Sequence, residues 1–233
     1  MNLKYKRVLL KISGEAFGDE ENKLFNFGKV QKIAELIVKI KKEGAQVVLV
    51  NGAGNLFRGA NQKQIDREAA DYIGMVATLM NSLALQAVLN KMNEPVVTYS
   101  SFEVEGLAEK FNPEKAQKKL EEGLIVISTA GNGKPYFTND TAGVQRATDL
   151  KCDLMIKAST IDGVYSDDPR TNSSAKKYEK ISYDEVLDKD LKVLDRSAVE
   201  IAEKHDLKIV VTSFDSESIL NVLKGEAVGT EIS

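Results

Sequence analysis

These 233 residues contain one cysteine, Cys152, and one histidine, His205. A single thiol cannot close an internal disulfide, and such scarcity fits a reducing compartment. One histidine and one cysteine also exclude a serine–histidine triad and a zinc centre built from those residue types. Neither sign of charge is in surplus: 32 Lys and Arg stand against 35 Asp and Glu, a net of −3. A nucleic-acid backbone calls for a strongly basic face, so nucleic acid is not the expected partner. No apolar stretch reads as approaching the roughly 18 residues of a membrane span. The opening Met1–Arg7 leads into an apolar run too short for a signal peptide. Together these features imply a cytoplasmic chain with no membrane attachment. Low-complexity tracts, internal repeats and linker-like boundaries are also lacking, so residues 1–233 read as one domain.

Apolar residues make up 42% of the chain and charged residues 29%, the balance of a globular protein with a sizeable core. Short apolar runs alternate with helical spacings from end to end. Residues 7–12 (RVLLKI), 46–50 (QVVLV), 95–99, 124–129 (LIVIST), 153–157 and 208–212 read as strands. The stretch 29–43 places Val30, Ile33, Ile37 and Ile40 on one helical face and stops at Gly44. A long helix is expected over 61–92, in two pieces broken near Gly74. Another spans 112–122, with Pro113 at the first position, where its missing N–H costs nothing. Helices are also expected over about 139–150 and 217–223, with two more before residue 208, and 160–178 reads as a loop. This alternation predicts a three-layer αβα sandwich with a central, mostly parallel sheet. Cys152 reads as a packed thiol at a strand start, and His205 as a cation near a helix C-terminus.

Ligands of such sheets sit beyond the carboxyl ends of the strands. The first strand carries Lys11 and runs into Ser13-Gly14, a small pair whose amides can approach a phosphate. A lysine there is costly unless it has a partner or a task; otherwise it lies on the open side of an edge strand. The second strand ends in Gly52-Ala53-Gly54-Asn55-Leu56-Phe57-Arg58, glycines that suit a phosphate cradle or an ordinary turn, followed by an arginine able to grip phosphate oxygens. The dinucleotide spacing fails at Phe57, and Gly133-Lys134 fails as a P-loop because Pro135 follows and Ser128 stands where glycine is required. Asp71, on the next helix, is either a ribose acceptor or a solvated helix charge. The strand at 124–129 feeds Gly131-Asn132-Gly133-Lys134-Pro135-Tyr136-Phe137-Thr138-Asn139-Asp140, a ligand loop ending in a helix cap. Lys157 ends a later strand as Lys11 ends the first. Beyond it lie Ser159, Tyr165, a ring able to pack on a base, and Asp168, restricted by Pro169.

These segments together resemble the amino-acid kinase superfamily and, within it, the bacterial uridylate (UMP) kinases. The likeness runs in order through Lys6–Glu15, Gly54–Gly59, Ala70–Met75, Gly133–Asp140 and Asp162–Tyr165. It continues through Tyr183–Leu187, Leu191–Asp195 and Gly225–Thr230, which is essentially the whole chain. It implies transfer of the γ-phosphoryl group of MgATP to UMP, giving UDP and ADP, with Mg²⁺ held largely by the phosphates. The resemblance assigns Lys11, Lys157 and Asp140 to the transfer step, with Asp195 nearby. Ala53, Arg58, Asp71 and Asn132, Gly133, Lys134, Pro135, Tyr136, Phe137, Thr138 and Asn139 would hold UMP. ATP would meet Lys11, Ile12, Ser13, Gly14, Gly54, Arg58, Ser159, Tyr165 and Asp168. The acceptor half would be about 1–150 and the ATP half about 151–233. Relatives of this kind are homohexamers, and inhibition by UTP is implied. The chain departs from the pattern at Ala53, where a third glycine is usual, and at Asn132, Lys134, Asn139 and Ser159. The stretch Leu83–Asn90 lacks the basic residues through which many relatives respond to GTP.

Overall fold

The computed structural model describes residues 3–19, 24–59 and 62–233. In chain order the elements are β1 (Arg7–Ile12), a 3-10 turn (Gly14–Phe17), α1 (Phe27–Lys42), β2 (Gln46–Asn51), α2 (Arg67–Lys91), β3 (Val96–Ser100), β4 (Glu109–Lys110), α3 (Pro113–Glu121), β5 (Ile125–Thr129) and α4 (Asn139–Asp149). Then follow β6 (Leu154–Ser159), β7 (Val164–Tyr165), β8 (Lys177–Tyr178), β9 (Lys180–Ile181), α5 (Tyr183–Asp188), α6 (Arg196–Lys204), β10 (Ile209–Ser213), α7 (Ser216–Lys224) and β11 (Thr230–Ile232).

One nine-stranded sheet runs in the order β4-β3-β5-β2-β1-β6-β10-β11-β9. Its pairs are parallel except β10 with β11. Period-two alternation sorts the strand side chains between two cores. Val8, Leu10, Ile12, Leu154 and Ile156 pack under α1, α2 and α7. Leu9, Val48, Val50 and Met155 pack under α3, α4, α5 and α6. The two cores are the sandwich that the alternating pattern predicts. Ile33, Ile37 and Ile40 of α1 are fully buried, each worth about 1.5–3 kcal/mol against exposure. Alternation also forces Lys11 and Lys157 onto the α4 face, beside Leu9 and Met155. Register makes these two lysines direct neighbours on adjacent strands.

The structure differs from the sequence reading in several places. The long helix begins at Arg67 and passes unbroken through Gly74; the expected start at Asn61 lies outside the described residues. Glycine weakens a helix by about 1 kcal/mol against alanine, and here the buried face carried by Ala70, Met75, Ala77 and Leu79 outweighs that. The helix is also, by length and composition, the one described helix able to cross a bilayer, although half of the qualifying stretch is buried. That corrects the view that no apolar stretch approaches such a length. Its apolar character is that of a core helix, and it buries Thr78, Asn81 and Ser82 as well. The expected loop 160–178 contains the hairpin β7–β8, whose two-residue strands are too short to show a period. His205 closes α6 as its C-cap. The Cys152 thiol, partly buried before β6, is pushed up to about 12 by burial, so it is protonated and unreactive at neutral pH.

Candidate active site

Lys11 and Lys157 reach over the sheet's carboxyl edge toward the first turn of α4. Thr138 caps that helix, its hydroxyl accepting from the Asp140 and Thr141 amides at 3.0 and 3.3 Å. The cap fixes Asp140 at the helix N-terminus, where a negative charge is favoured. Asp140 Oδ1 lies 2.7 Å from Lys11 Nζ and Oδ2 lies 2.7 Å from Lys157 Nζ. All three side chains are 13–17% exposed. Burial pushes the Asp140 carboxyl up, but the two ammoniums outweigh it and hold its pKa below the usual 3.8. Burial lowers Lys157 from the ordinary 10.5, against the opposing pull of Asp140. Lys157 also donates to the Val193 carbonyl. Asp195, the N-cap of α6, accepts from Thr138 and Thr141 and so ties the two helix caps together.

The backbones leaving β1 and β2 touch. A Cβ on Gly14 would lie 2.3 Å from the Gly54 amide nitrogen and 2.6 Å from that of Ala53. Ala53 keeps negative φ and is buried, so its methyl fits where a third glycine is usual. Arg58 forms an ion pair with Glu15 across this junction. Asp71 is no solvated charge: its carboxylate accepts from the Arg67 guanidinium and the Tyr136 amide, both at 2.8 Å.

Two clefts meet at the lysine–carboxylate group. One, of about 460 Å³, is lined by Lys11, Ser13, Gly14, Ala53, Gly54, Arg58, Asp71, Asn132, Phe137, Thr138, Asn139 and Asp140. The other, of about 540 Å³, is lined by Lys157, Ser159, Tyr165, Asp168 and Val193. Of the remaining predicted residues, Ile12 lines a third cavity together with Ser13 and Ser159. Gly133, Lys134, Pro135 and Tyr136 lie outside the linings of both clefts, and Ile12 turns its buried side chain to the α1 core. The third cavity, about 680 Å³, opens between α1 and Phe214 but contains none of the three charged residues. Tyr165 donates to Asp162 at 2.8 Å, and Arg170 grips Asp168 and holds its carboxyl down at about 2.

Sequence reasoning missed what lies beneath the loops. Thr78 accepts from the Ala130 amide at 2.9 Å, Asn81 donates to the Gly52 carbonyl at 2.8 Å, and Asn51 donates to the Thr78 carbonyl at 3.0 Å. The available signal was the cluster Thr78, Asn81, Ser82 inside an otherwise apolar helix.

Residues 6–213 match the model of the amino acid kinase family. The chain is similar to a uridylate kinase of Hyphomonas neptunium, 40% identical over 234 residues, covering 99% of this chain and 93% of that one. Its fold is similar to the UMP kinase of Bacillus anthracis, with a TM-score of 0.94, 38% identity, and coverage of 98% and 96%. It is also similar to the UMP kinase of Ureaplasma parvum, with a TM-score of 0.91, 32% identity, and coverage of 99% and 100%.

Proposed function

This chain belongs to the amino acid kinase family, and on that footing we infer that it is a nucleoside monophosphate kinase converting UMP and ATP to UDP and ADP. The observation that carries the reading is the meeting of two clefts at Lys11, Asp140 and Lys157. The cleft bearing Arg58 and Asp71 takes UMP, and the cleft bearing Tyr165 and Asp168 takes the ATP nucleoside. Ser13, Gly14 and Gly54 lie where the two phosphate chains would face each other. Asn132 supports the acceptor assignment, because its Oδ1 is buried without a hydrogen-bond partner and a ligand N–H would satisfy it.

A phosphate acceptor needs little acid–base help, since its second pKa is about 6 and it arrives deprotonated. An acceptor oxygen attacks the γ-phosphorus, the bond to the β-phosphate oxygen breaks, and negative charge spreads over the equatorial oxygens. Lys11 and Lys157 supply fixed positive charge on that group, while the Gly14 and Gly54 amides offer neutral donors. Asp140 keeps both ammoniums aimed and charged. Mg²⁺ carried in with ATP would supply further charge neutralisation, and it would be held largely by the phosphates and water rather than by a dedicated protein cage.

We place the enzyme in the cytoplasm as a homohexamer inhibited by UTP. The exposed stripe Tyr72, Ile73, Val76 and Met80 on α2 supports self-association, because it repeats at helical spacing and would be covered by another copy. A coupled assay with ATP against UMP, CMP, AMP, carbamate and glutamate tests the function. Turnover of UMP is expected; turnover of carbamate without UMP would overturn the reading.

A further inference from the structure

We propose that Arg146 and Ser101 are positioning residues that set the 131–136 loop and so tune affinity for UMP, an inference resting on the acceptor assignment above. Arg146 lies on the inner face of α4, its side chain 10% exposed. A buried guanidinium is expensive, and aliphatic packing would usually be as stable. Its carboxylate partner Asp149, 3.1 Å away one turn later, belongs to the same helix and adds little to the tertiary fold. The donors that leave the helix go elsewhere. Nε donates to Ser128 Oγ at 3.1 Å, and Nη2 donates to Ser101 Oγ at 3.0 Å. The guanidinium carbon lies 4.0 Å above the Phe111 ring, which fixes its plane.

Arginine can only donate, so the Ser101 oxygen must accept from it and direct its one proton onward. That proton goes to the Gly131 carbonyl at 2.5 Å. The bond holds an unusual piece of backbone. Ala130 and Gly131 have φ of 61° and 55°, and Gly133 has 71°. Left-handed geometry at a non-glycine residue such as Ala130 costs about 1 kcal/mol or more and persists only where neighbours enforce it. Thr78 enforces it at the Ala130 amide, and Ser101 does so one residue later. Ser101 is also the floor on which the loop rests: a Cβ on Gly133 would come 3.0 Å from the Ser101 Cβ. Asn132, with its unpartnered oxygen, lies between the two anchored glycines. The charge on Arg146 strengthens each link in this chain. The same helix therefore carries Asp140 at its start and, about 9 Å further along, the guanidinium that braces the acceptor loop.

The test compares wild type, Ser101→Ala, Arg146→Lys and the double variant in the UMP–ATP assay, together with thermal midpoints. Ser101→Ala removes both the bond from Arg146 and the bond to Gly131; only the second reaches the loop, and its loss should raise KM for UMP about 5–10-fold. Its kcat and KM for ATP should stay within about twofold of wild type. Arg146→Lys keeps the charge but loses the rigid fork that reaches Ser128 and Ser101 from two separate nitrogens, so a similar rise is expected. The double variant should be no worse than the worse single variant, because both act through one path. An unchanged KM for UMP in Ser101→Ala overturns the relay. Equal rises in both KM values with a lowered thermal midpoint also overturn it, since they mark a purely structural role. Additive effects in the double variant would do the same. Wild-type failure to phosphorylate UMP would instead sink the acceptor assignment, and the relay with it.

Discussion

Asparagine at position 140 would leave two buried ammoniums on neighbouring strands with no counter-charge. Each contact at 2.7 Å is worth about 6 kcal/mol in gross Coulomb terms at an effective dielectric constant of about 20. Most of that offsets the cost of drawing the ions out of water, and removing one partner of such a buried group costs about 3–5 kcal/mol net. For a domain of this length each kcal/mol moves the midpoint by roughly 2–4 °C, so Asp140→Asn should melt about 10 °C below wild type. Its kcat should fall by at least about 100-fold, as for loss of one transition-state contact, because the lysines repel and turn outward. Adding Lys157→Met separates the two effects: it removes the repulsion and should recover part of the melting temperature, with kcat still low. Calorimetry and the coupled assay on the three proteins suffice. A single variant as stable and active as wild type, or a double variant no more stable than Asp140→Asn, would refute the reasoning.

Activity should fall on the alkaline side earlier than an ordinary lysine allows, because burial holds Lys157 below 10.5 and transfer needs its ammonium. A kcat–pH profile with no loss before that value would contradict the role given to Lys157. On the acid side Asp140 sits below 3.8 in the folded state, so its stabilisation holds above that value and drains away as pH falls through the lower folded one; acid unfolding of Asp140→Asn should lack that component. Gly14→Ala should lower kcat at least about 100-fold and raise KM for both substrates, since the methyl meets main-chain nitrogen, with steady-state kinetics as the check. If the proposed homohexamer forms through the exposed stripe of α2, Val76→Asp should shift it to smaller species in sedimentation while leaving the helical circular dichroism intact.

The sandwich was legible because strands such as RVLLKI and helices such as 29–43 carry unambiguous periods, and a run of alternating elements permits few sheets. Lys11 and Lys157 were legible as lysines where apolar residues belong. Their adjacency was not, because register is set by pairing of strands distant in the chain. Asp71 could not be told from a solvated charge by sequence, since its burial depends on the Tyr136 amide folding back upon it. Gly74 misled because a local helix penalty of about 1 kcal/mol is small beside tertiary packing. Arg146 and Ser101 gave no signal, for their meaning lies in a hydroxyl's forced direction of donation.

The pairing of Lys11 with Lys157 has a consequence for how the enzyme comes into being. β1 and β2 are close in the chain and their shared flank can form early, but the other flank of β1 waits for the later β6. Until then Lys11 lacks its neighbour Lys157, and the proposed transfer centre is incomplete. Asp140 is synthesised before Lys157, so the anion is in place before the second cation arrives to be neutralised. On the proposed reading neither half of the polypeptide alone holds a working centre, since the two lysines meet only when the late strand docks on the early one.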